Sequence, residues 1–181
     1  GRFSFEKPCK ENYTIMIIFP NFSEQPIFAE SGKSVDIKAD ASHLKEMEVK
    51  GTKTNELMTK FRQSILNDTP PQEKKHAEDF IKANTKSVVS LYLIRKYFFA
   101  NSSPDYDKAL SLLALLEKEQ GKNPLFAKMK SWATDTKNSS VGKQLPTFTA
   151  DDLHGKMVSS AALSSAPLAV PYTWASYHYD S

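Results

Sequence analysis

Cysteine and glycine are both scarce in this chain, and each shortage excludes a class of chemistry. Cys9 is the single cysteine among 181 residues, so the chain can form no internal disulfide and no cysteine-rich zinc site. The six glycines form neither a dinucleotide-binding loop nor a phosphate-binding loop. The G-x-S-x-G motif of serine hydrolases is also missing. Most of the catalytic signatures that a sequence can reveal are therefore absent.

Long apolar runs and clustered charge are limited as well. No run approaches the roughly 18 consecutive apolar residues that a transmembrane helix needs. The 24 basic residues are interleaved with 21 acidic ones, and the net charge is only +3. A dedicated nucleic-acid-binding protein is expected to carry more strongly clustered basic residues. With 40% hydrophobic residues, the composition predicts a globular protein with no transmembrane segment and no nucleic-acid partner.

The period of the hydrophobic residues changes at Gly51. Before it, short alternating stretches separated by turns predict an antiparallel β-meander or sandwich over residues 1–51: GRFSFE, YTIMIIF, QPIFAE, SVDIKAD and MEVKG. After it, helical spacing predicts about three to five helices within residues 52–134. The second half of that segment includes YLIRKYFF, whose apolar residues cover more than one face, and we interpret it as a core helix rather than a binding surface.

The last part of the chain is polar and then strand-like. Residues 135–145 predict a linker, and residues 146–181 predict a hairpin around His154 and Gly155 followed by one apolar strand. The fold class is therefore α+β.

The C-terminal region carries a recognisable motif. In LPTFTADDLHGKMV the order is P-x-F-x-x-x-D-x-x-G-x-x-V, and the chain ends on WASYHYDS. This order resembles the opening of an AhpC/TSA-type thioredoxin-like domain, which continues to W-A-S/T-W-C-x-x-C. The matching residues are Pro146, Phe148, Asp152, Gly155, Val158, Leu163, Trp174, Ala175 and Ser176.

Two positions depart from that pattern in a way that removes its chemistry. The resemblance places the nucleophilic and resolving cysteines at His178 and Ser181, and neither side chain can form a disulfide. Pro171 lies inside the strand that should be central, where it removes a ladder N–H. We therefore expect no catalytic residue here and an incomplete thioredoxin-like portion. His178 beside Asp180 has no further ligand at metal-site spacing, so we expect no metal and no cofactor.

The first half resembles a second family. GRFSFE, ESGKSVDIKAD, VKGTKTNE and FIKANTKSVVSLYLI are similar to the domain of unknown function numbered 4369, which precedes thioredoxin-like domains in Gram-negative cell-envelope proteins. The resemblance implies a periplasmic or outer-membrane-anchored location and an unknown envelope protein or ligand as partner. It also makes GRFSFE a middle strand, so we expect an incomplete sheet whose exposed edge allows a homodimer.

The remaining candidate residues have simpler interpretations. Cys9 lies between Lys7 and Lys10, which could activate a thiol, but a structural or exposed role is the preferred interpretation. Acids early in helices complement the helix dipole, and a basic run on a helix is solvated. The residues concerned are Asp79, Asp105, Asp107, Lys74, Lys75 and His76.

Two functions remain open. The first is an envelope binding or scaffolding module with a redox-inactive thioredoxin-like remnant. The second is a thiol–disulfide oxidoreductase or peroxiredoxin-like protein whose working cysteines lie outside this chain. The absence of C-x-x-C at residues 178–181 favours the first.

Overall fold

The computed structural model describes Ser4, Glu6 and residues 11–20, 22–40 and 42–163. The chain divides into two compact units, residues 1–134 and residues 135–181. Short antiparallel strand pairs come first, then helices, then a small strand pair, which confirms the α+β class. No helix in the described ranges has the length and apolar character needed to cross a membrane.

The first unit begins with two antiparallel strand pairs. β1 (Tyr13–Ile18) pairs with β2 (Glu24–Ala29), and β3 (Asp36–Lys38) pairs with β4 (Glu48–Lys50). Among the described residues the four strands form two separate two-stranded sheets instead of one continuous meander. GRFSFE lies almost wholly outside these residues, so its sheet edge and the homodimer stay predictions.

The first helix is hydrogen-bonded to one strand of each sheet. α1 (Lys53–Ser64) presents Asn55 to β2, where it accepts from the Phe28 N–H at 2.9 Å and donates to the Phe28 carbonyl at 2.8 Å. One turn later Thr59 accepts from the Val49 N–H of β4 at 2.9 Å and donates to its carbonyl at 3.1 Å. The backbone groups of Phe28 in β2 and Val49 in β4 thus find their hydrogen-bond partners on α1.

A glycine makes the entry to α1 possible. Gly51 has φ of 105°, and a Cβ atom there would lie 2.4 Å from the Ser34 carbonyl oxygen. Only glycine adopts this conformation at such close approach without strain. Thr52 then caps α1 by accepting from the Asn55 N–H. The predicted change of period at Gly51 is confirmed as the passage from strand to helix.

Four more helices follow in the sequence, joined by short loops. They are α2 (Pro70–Ala83), α3 (Val88–Ile94) with a π-helical turn over Arg95–Phe99, α4 (Tyr106–Gln120) and α5 (Pro124–Asn138). Their apolar faces enclose one core together with α1 and β2. Its buried members include Phe28, Met58, Ile81, Leu91, Leu93, Ile94, Phe98, Leu112, Leu113 and Leu116. The apolar residues of YLIRKYFF lie in this core, which confirms that part of the interpretation, whereas its Arg95 and Lys96 are exposed.

Polar side chains set the ends of several helices. The Asn84 side chain ends α2 by donating to the Phe80 carbonyl, and Ser87 caps α3 by accepting from the Val89 N–H. Pro104 precedes Asp105, the N-cap of α4. α5 continues to Asn138, into the polar stretch predicted as linker, since a last helical turn needs no apolar residue.

Charged side chains join α2 to α4 at the surface. Glu78 of α2 accepts from Lys82 at 2.7 Å and from Lys108 of α4 at 3.0 Å. The hydrogen bond from Lys82, followed by that from Lys108, lowers the pKa of Glu78. Its carboxylate therefore stays charged to lower pH than an ordinary glutamate.

The second unit contains the predicted hairpin. β5 (Thr149–Asp151) and β6 (Met157–Ser159) are antiparallel, and Gly155 adopts φ of 74° in the turn between them. The Asp152 carboxylate accepts from the N–H groups of His154 at 2.8 Å and Lys156 at 2.9 Å. A short helix, α6 (Ser160–Leu163), follows the hairpin. The hairpin around His154 and Gly155 is confirmed.

Candidate functional site

The residues of the degenerate thioredoxin-like motif lie outside the described residues. This concerns Trp174, Ala175, Ser176, His178, Asp180 and Ser181, and equally Pro171 and Cys9. The hypotheses attached to them, including the absence of redox chemistry, stay predictions.

The acidic and basic candidates on the helices do not come together into a reactive cluster. Asp105 caps α4 by accepting from the Lys108 N–H at 2.9 Å, which is the role expected of an acid at a helix start. Lys74 places its ammonium 5.2 Å from the centre of the Phe98 ring, and His76 pairs through Nδ1 with the Asp68 carboxylate. In the described ranges no three His, Cys, Asp or Glu side chains are grouped to hold a metal ion.

A cleft of about 940 Å³ opens in the first unit. It lies where the start of β2, the turn before β4, the α1–α2 loop and the π-helical turn meet. Its lining residues are Ser23, Glu24, Gln25, Ser42, His43, Leu44, Lys45, Glu46, Leu66, Asn67, Tyr92, Arg95, Lys96 and Ala100. Cations, the carboxylates of Glu24 and Glu46, amides and hydroxyls are mixed there with leucine and tyrosine, as in a ligand site.

The π-helical turn supplies the basic wall of this cleft. Its i→i+5 geometry closes with the Ala100 N–H donating to the Arg95 carbonyl. Arg95 and Lys96 are both exposed, yet they stand between the buried residues Ile94 and Phe98. Such π-helical turns are frequent at functional sites. Neither cation forms an ion pair with a carboxylate in the described part of the chain.

Lys96 is held in an environment that disfavours its charge. Surrounding protein atoms lower its pKa by desolvation, and Arg62 and Lys45 lower it further through like-charge repulsion. Glu73 acts in the opposite direction, but it does not cancel the shift. The Lys96 ammonium also lies 5.1 Å from the centre of the Tyr97 ring.

A buried arginine lies beneath the same wall. Arg62 of α1 is 4% exposed, and it donates from Nε to the Gln25 side chain at 3.0 Å and from Nη2 to the Pro26 carbonyl at 2.9 Å. Its Nη1 is buried with no acceptor among the described residues. Burial lowers the pKa of Arg62 to about 10, so the guanidinium remains charged at neutral pH with incomplete compensation.

Tyr92 forms the aromatic part of the lining. Its ring packs edge-on against Phe28, with ring centres 6.3 Å apart. Burial raises the pKa of Tyr92 to about 12, although nearby Arg62 acts to lower it. The phenol is therefore a neutral hydrogen-bonding group at physiological pH.

A hydrogen-bonded carboxylate fixes the turn that forms the opposite wall. Glu73 of α2 accepts from Lys45 at 3.0 Å and from the Tyr97 hydroxyl at 3.1 Å. Lys45 belongs to the 3₁₀ turn Leu44–Glu46, so this pair connects the turn before β4 to α2 and to the π-helical turn. Burial, followed by the negative charge of Glu73, raises the pKa of Tyr97.

The cleft offers binding groups rather than a reacting pair. Its lining residues include no thiol, and His43 lies 3.9 Å from Asp40 with both side chains mostly exposed. A serine nucleophile needs a base within hydrogen-bond reach, and Ser42 and His43 of the lining form no hydrogen bond with each other in the described structure. Charged and polar groups around an apolar floor are suited to holding a ligand.

Sequence reasoning missed this site, although one signal was present. Arg62 lies four residues after Met58, on the face of α1 that the apolar spacing assigns to the core. A charge on a core face requires compensation by nearby polar groups. The other lining residues come from loops or from the polar side of a core segment, where the hydrophobic period carries no signal.

Comparison with the sequence models of known families matches only part of the chain. Residues 1–58 match the sequence model of the family described as "Domain of unknown function (DUF4369)". This range includes the β2 and turn residues of the cleft but ends before Arg62, Arg95 and Lys96. Comparison with curated proteins and with solved structures gives no match.

Proposed function

We propose that the chain is a non-catalytic binding or scaffolding module of the cell envelope, with a redox-inactive thioredoxin-like remnant at its C-terminal end. The cleft of the first unit is the observation that carries the proposal. Its volume of about 940 Å³ lies at the upper end of the roughly 300–1,000 Å³ of small-molecule sites. One of its walls is held in place by the bonds of Glu73 to Lys45 and Tyr97.

The periplasmic or outer-membrane-anchored location is proposed from the resemblance of the first half to the 4369 family, whose sequence model matches residues 1–58. The redox-inactive remnant is supported by chemistry, because thiol–disulfide exchange proceeds through a mixed disulfide. His178 and Ser181 cannot form that intermediate.

Site-specific photocrosslinking tests the binding role. A photoreactive phenylalanine analogue replaces Ser42, whose side chain lines the cleft, in the full chain expressed in its source organism. A matched control carries the analogue at Lys128, an exposed position on α5 outside the lining. We expect a discrete adduct, resolved by mass spectrometry, from position 42 and not from position 128. Equal labelling at both positions, or no adduct at position 42, contradicts the proposal.

A further inference from the structure

We propose that the cleft recognises an oxyanion group on a partly apolar ligand, held by Arg95 and Lys96 of the π-helical turn with Arg62 behind them. This inference rests on the proposed binding role and names the chemical class of the ligand. Carboxylate and phosphate share the recognised chemistry, because arginine and lysine donate charge-assisted hydrogen bonds to both.

The first argument is the charge that the cleft leaves uncompensated. Among the described residues Lys45 is paired with Glu73, whereas Arg95 and Lys96 have no carboxylate partner. The charges of Arg62 and Lys45 act on Lys96, and those of Arg62 and Arg95 act on Tyr92. Glu73 acts on Lys96 and Glu24 on Tyr92 with the opposite sign, but neither carboxylate forms an ion pair with Arg95 or Lys96 among the described residues. An anion bound between them relieves this mutual repulsion.

The second argument is the buried guanidinium. Arg62 is 4% exposed and has no ion pair within the described ranges. Two of its nitrogens orient Gln25 and the Pro26 carbonyl, while Nη1 remains without an acceptor in the described structure. Burial of a cation without full compensation costs free energy, and a nearby anion offsets that cost through a poorly screened attraction.

The third argument concerns the rest of the ligand. Leu44, Leu66, Tyr92 and Ala100 line the cleft beside the cations. A fully hydrated inorganic ion gains no binding free energy from apolar residues, whereas an organic ligand buries apolar area against them. The neutral Tyr92 phenol adds a hydrogen-bonding group next to this apolar surface. The occupant that fits is therefore an organic oxyanion with an apolar or aromatic part.

Three small probes separate the possible results. Benzoate carries a carboxylate, phenyl phosphate carries a phosphate, and benzamide is the neutral isostere of benzoate. Each is titrated into the full chain at constant ionic strength while amide chemical shifts are followed by two-dimensional NMR. We expect saturable shifts at residues 23–25, 42–46 and 92–96 with one or both anions. Benzamide should bind at least about tenfold more weakly than the better-bound anion, because it lacks the charge-assisted bonds.

Variants then test the assigned residues. Lys96→Met and Arg95→Gln change exposed side chains, and thermal unfolding verifies that both variants fold. Each should weaken anion binding by about tenfold, since one charge-assisted contact is lost. Lys128→Met on α5 is the matched control and should bind like the wild type.

Each contrary result is distinct. No saturable shift with either anion, or binding of benzamide as tight as that of the better-bound anion, overturns oxyanion recognition. Unchanged affinity in both variants overturns the assignment to the π-helical turn. A position-specific crosslink from Ser42 together with any of these results leaves the binding role standing and refutes only its ligand class.

Discussion

Asn55 is the side chain whose removal should most directly separate the β-strands from the helices. It is fully buried, and its amide forms hydrogen bonds with both backbone groups of Phe28 and with the Thr52 hydroxyl at 2.8 Å. Asn55→Ala leaves the Phe28 N–H and carbonyl of β2 without their partners inside the protein. Each buried group left unsatisfied costs about 1–3 kcal/mol. We therefore expect a loss of about 2–5 kcal/mol in the free energy of unfolding.

Urea denaturation followed by circular dichroism at 222 nm measures this loss, because the long helices give most of that signal. Asn138→Ala is the matched control, since this exposed asparagine ends α5. The control should change the free energy of unfolding by about 0.5 kcal/mol or less. A loss below about 1 kcal/mol for Asn55→Ala, with an unchanged urea dependence, would refute the argument that its hydrogen bonds join β2 to α1.

Three further predictions concern backbone strain, pH and redox chemistry. Gly51→Ala should lower the free energy of unfolding by more than about 1 kcal/mol. Gly32→Ala should lower it by less, because Gly32 has a positive φ but open space around it. Urea titration of both variants measures the difference. Glu78→Gln should lower the free energy of unfolding by up to about 1 kcal/mol at pH 7. Because the folded pKa of Glu78 is lowered, this difference between the two proteins should persist above the ordinary glutamate pKa of 4.5 and disappear as the pH falls below that value. Equal stability of both proteins at pH 7 would contradict a stabilising role of the ion pairs. Insulin-reduction and peroxide-consumption assays should show no turnover above a Cys9→Ser control, and clear turnover above it would favour the enzymatic alternative.

The sequence predicts the parts of this fold that local patterns determine. The period change at Gly51 and the hairpin around His154 and Gly155 depend on residues adjacent in the chain, and both are confirmed. The predicted antiparallel meander or sandwich is confirmed in its antiparallel strand pairs, whereas the way these pairs are held depends on α1. Asn55 and Thr59 occupy backbone groups of β2 and β4, and no strand pattern reveals competition from a helix that begins later in the sequence.

The cleft could not be predicted for a related reason. Its lining comes from four stretches of the chain that meet only after folding, and several of its residues lie in loops. A core helix is expected to carry polar residues on the side that faces solvent, and Arg95 and Lys96 occupy such positions. Their pattern in the sequence therefore indicates a solvated face as readily as a binding wall. The charge of the buried Arg62 acts on Lys96 only after folding, and this changes the meaning of that pattern.

The position of the basic wall also limits what the family match can imply. Residues 1–58 include Asn55 and Phe28, and hence the junction that fixes β2 on α1. Arg62, Arg95 and Lys96 all lie beyond the match, on α1 and on a π-helical turn between two buried parts of the core. A protein that shares only the matched range with this chain therefore shares one side of the cleft and none of these three cations. Oxyanion recognition is consequently proposed for this chain on the strength of its helices, and it should transfer only to relatives that carry basic residues at these three positions.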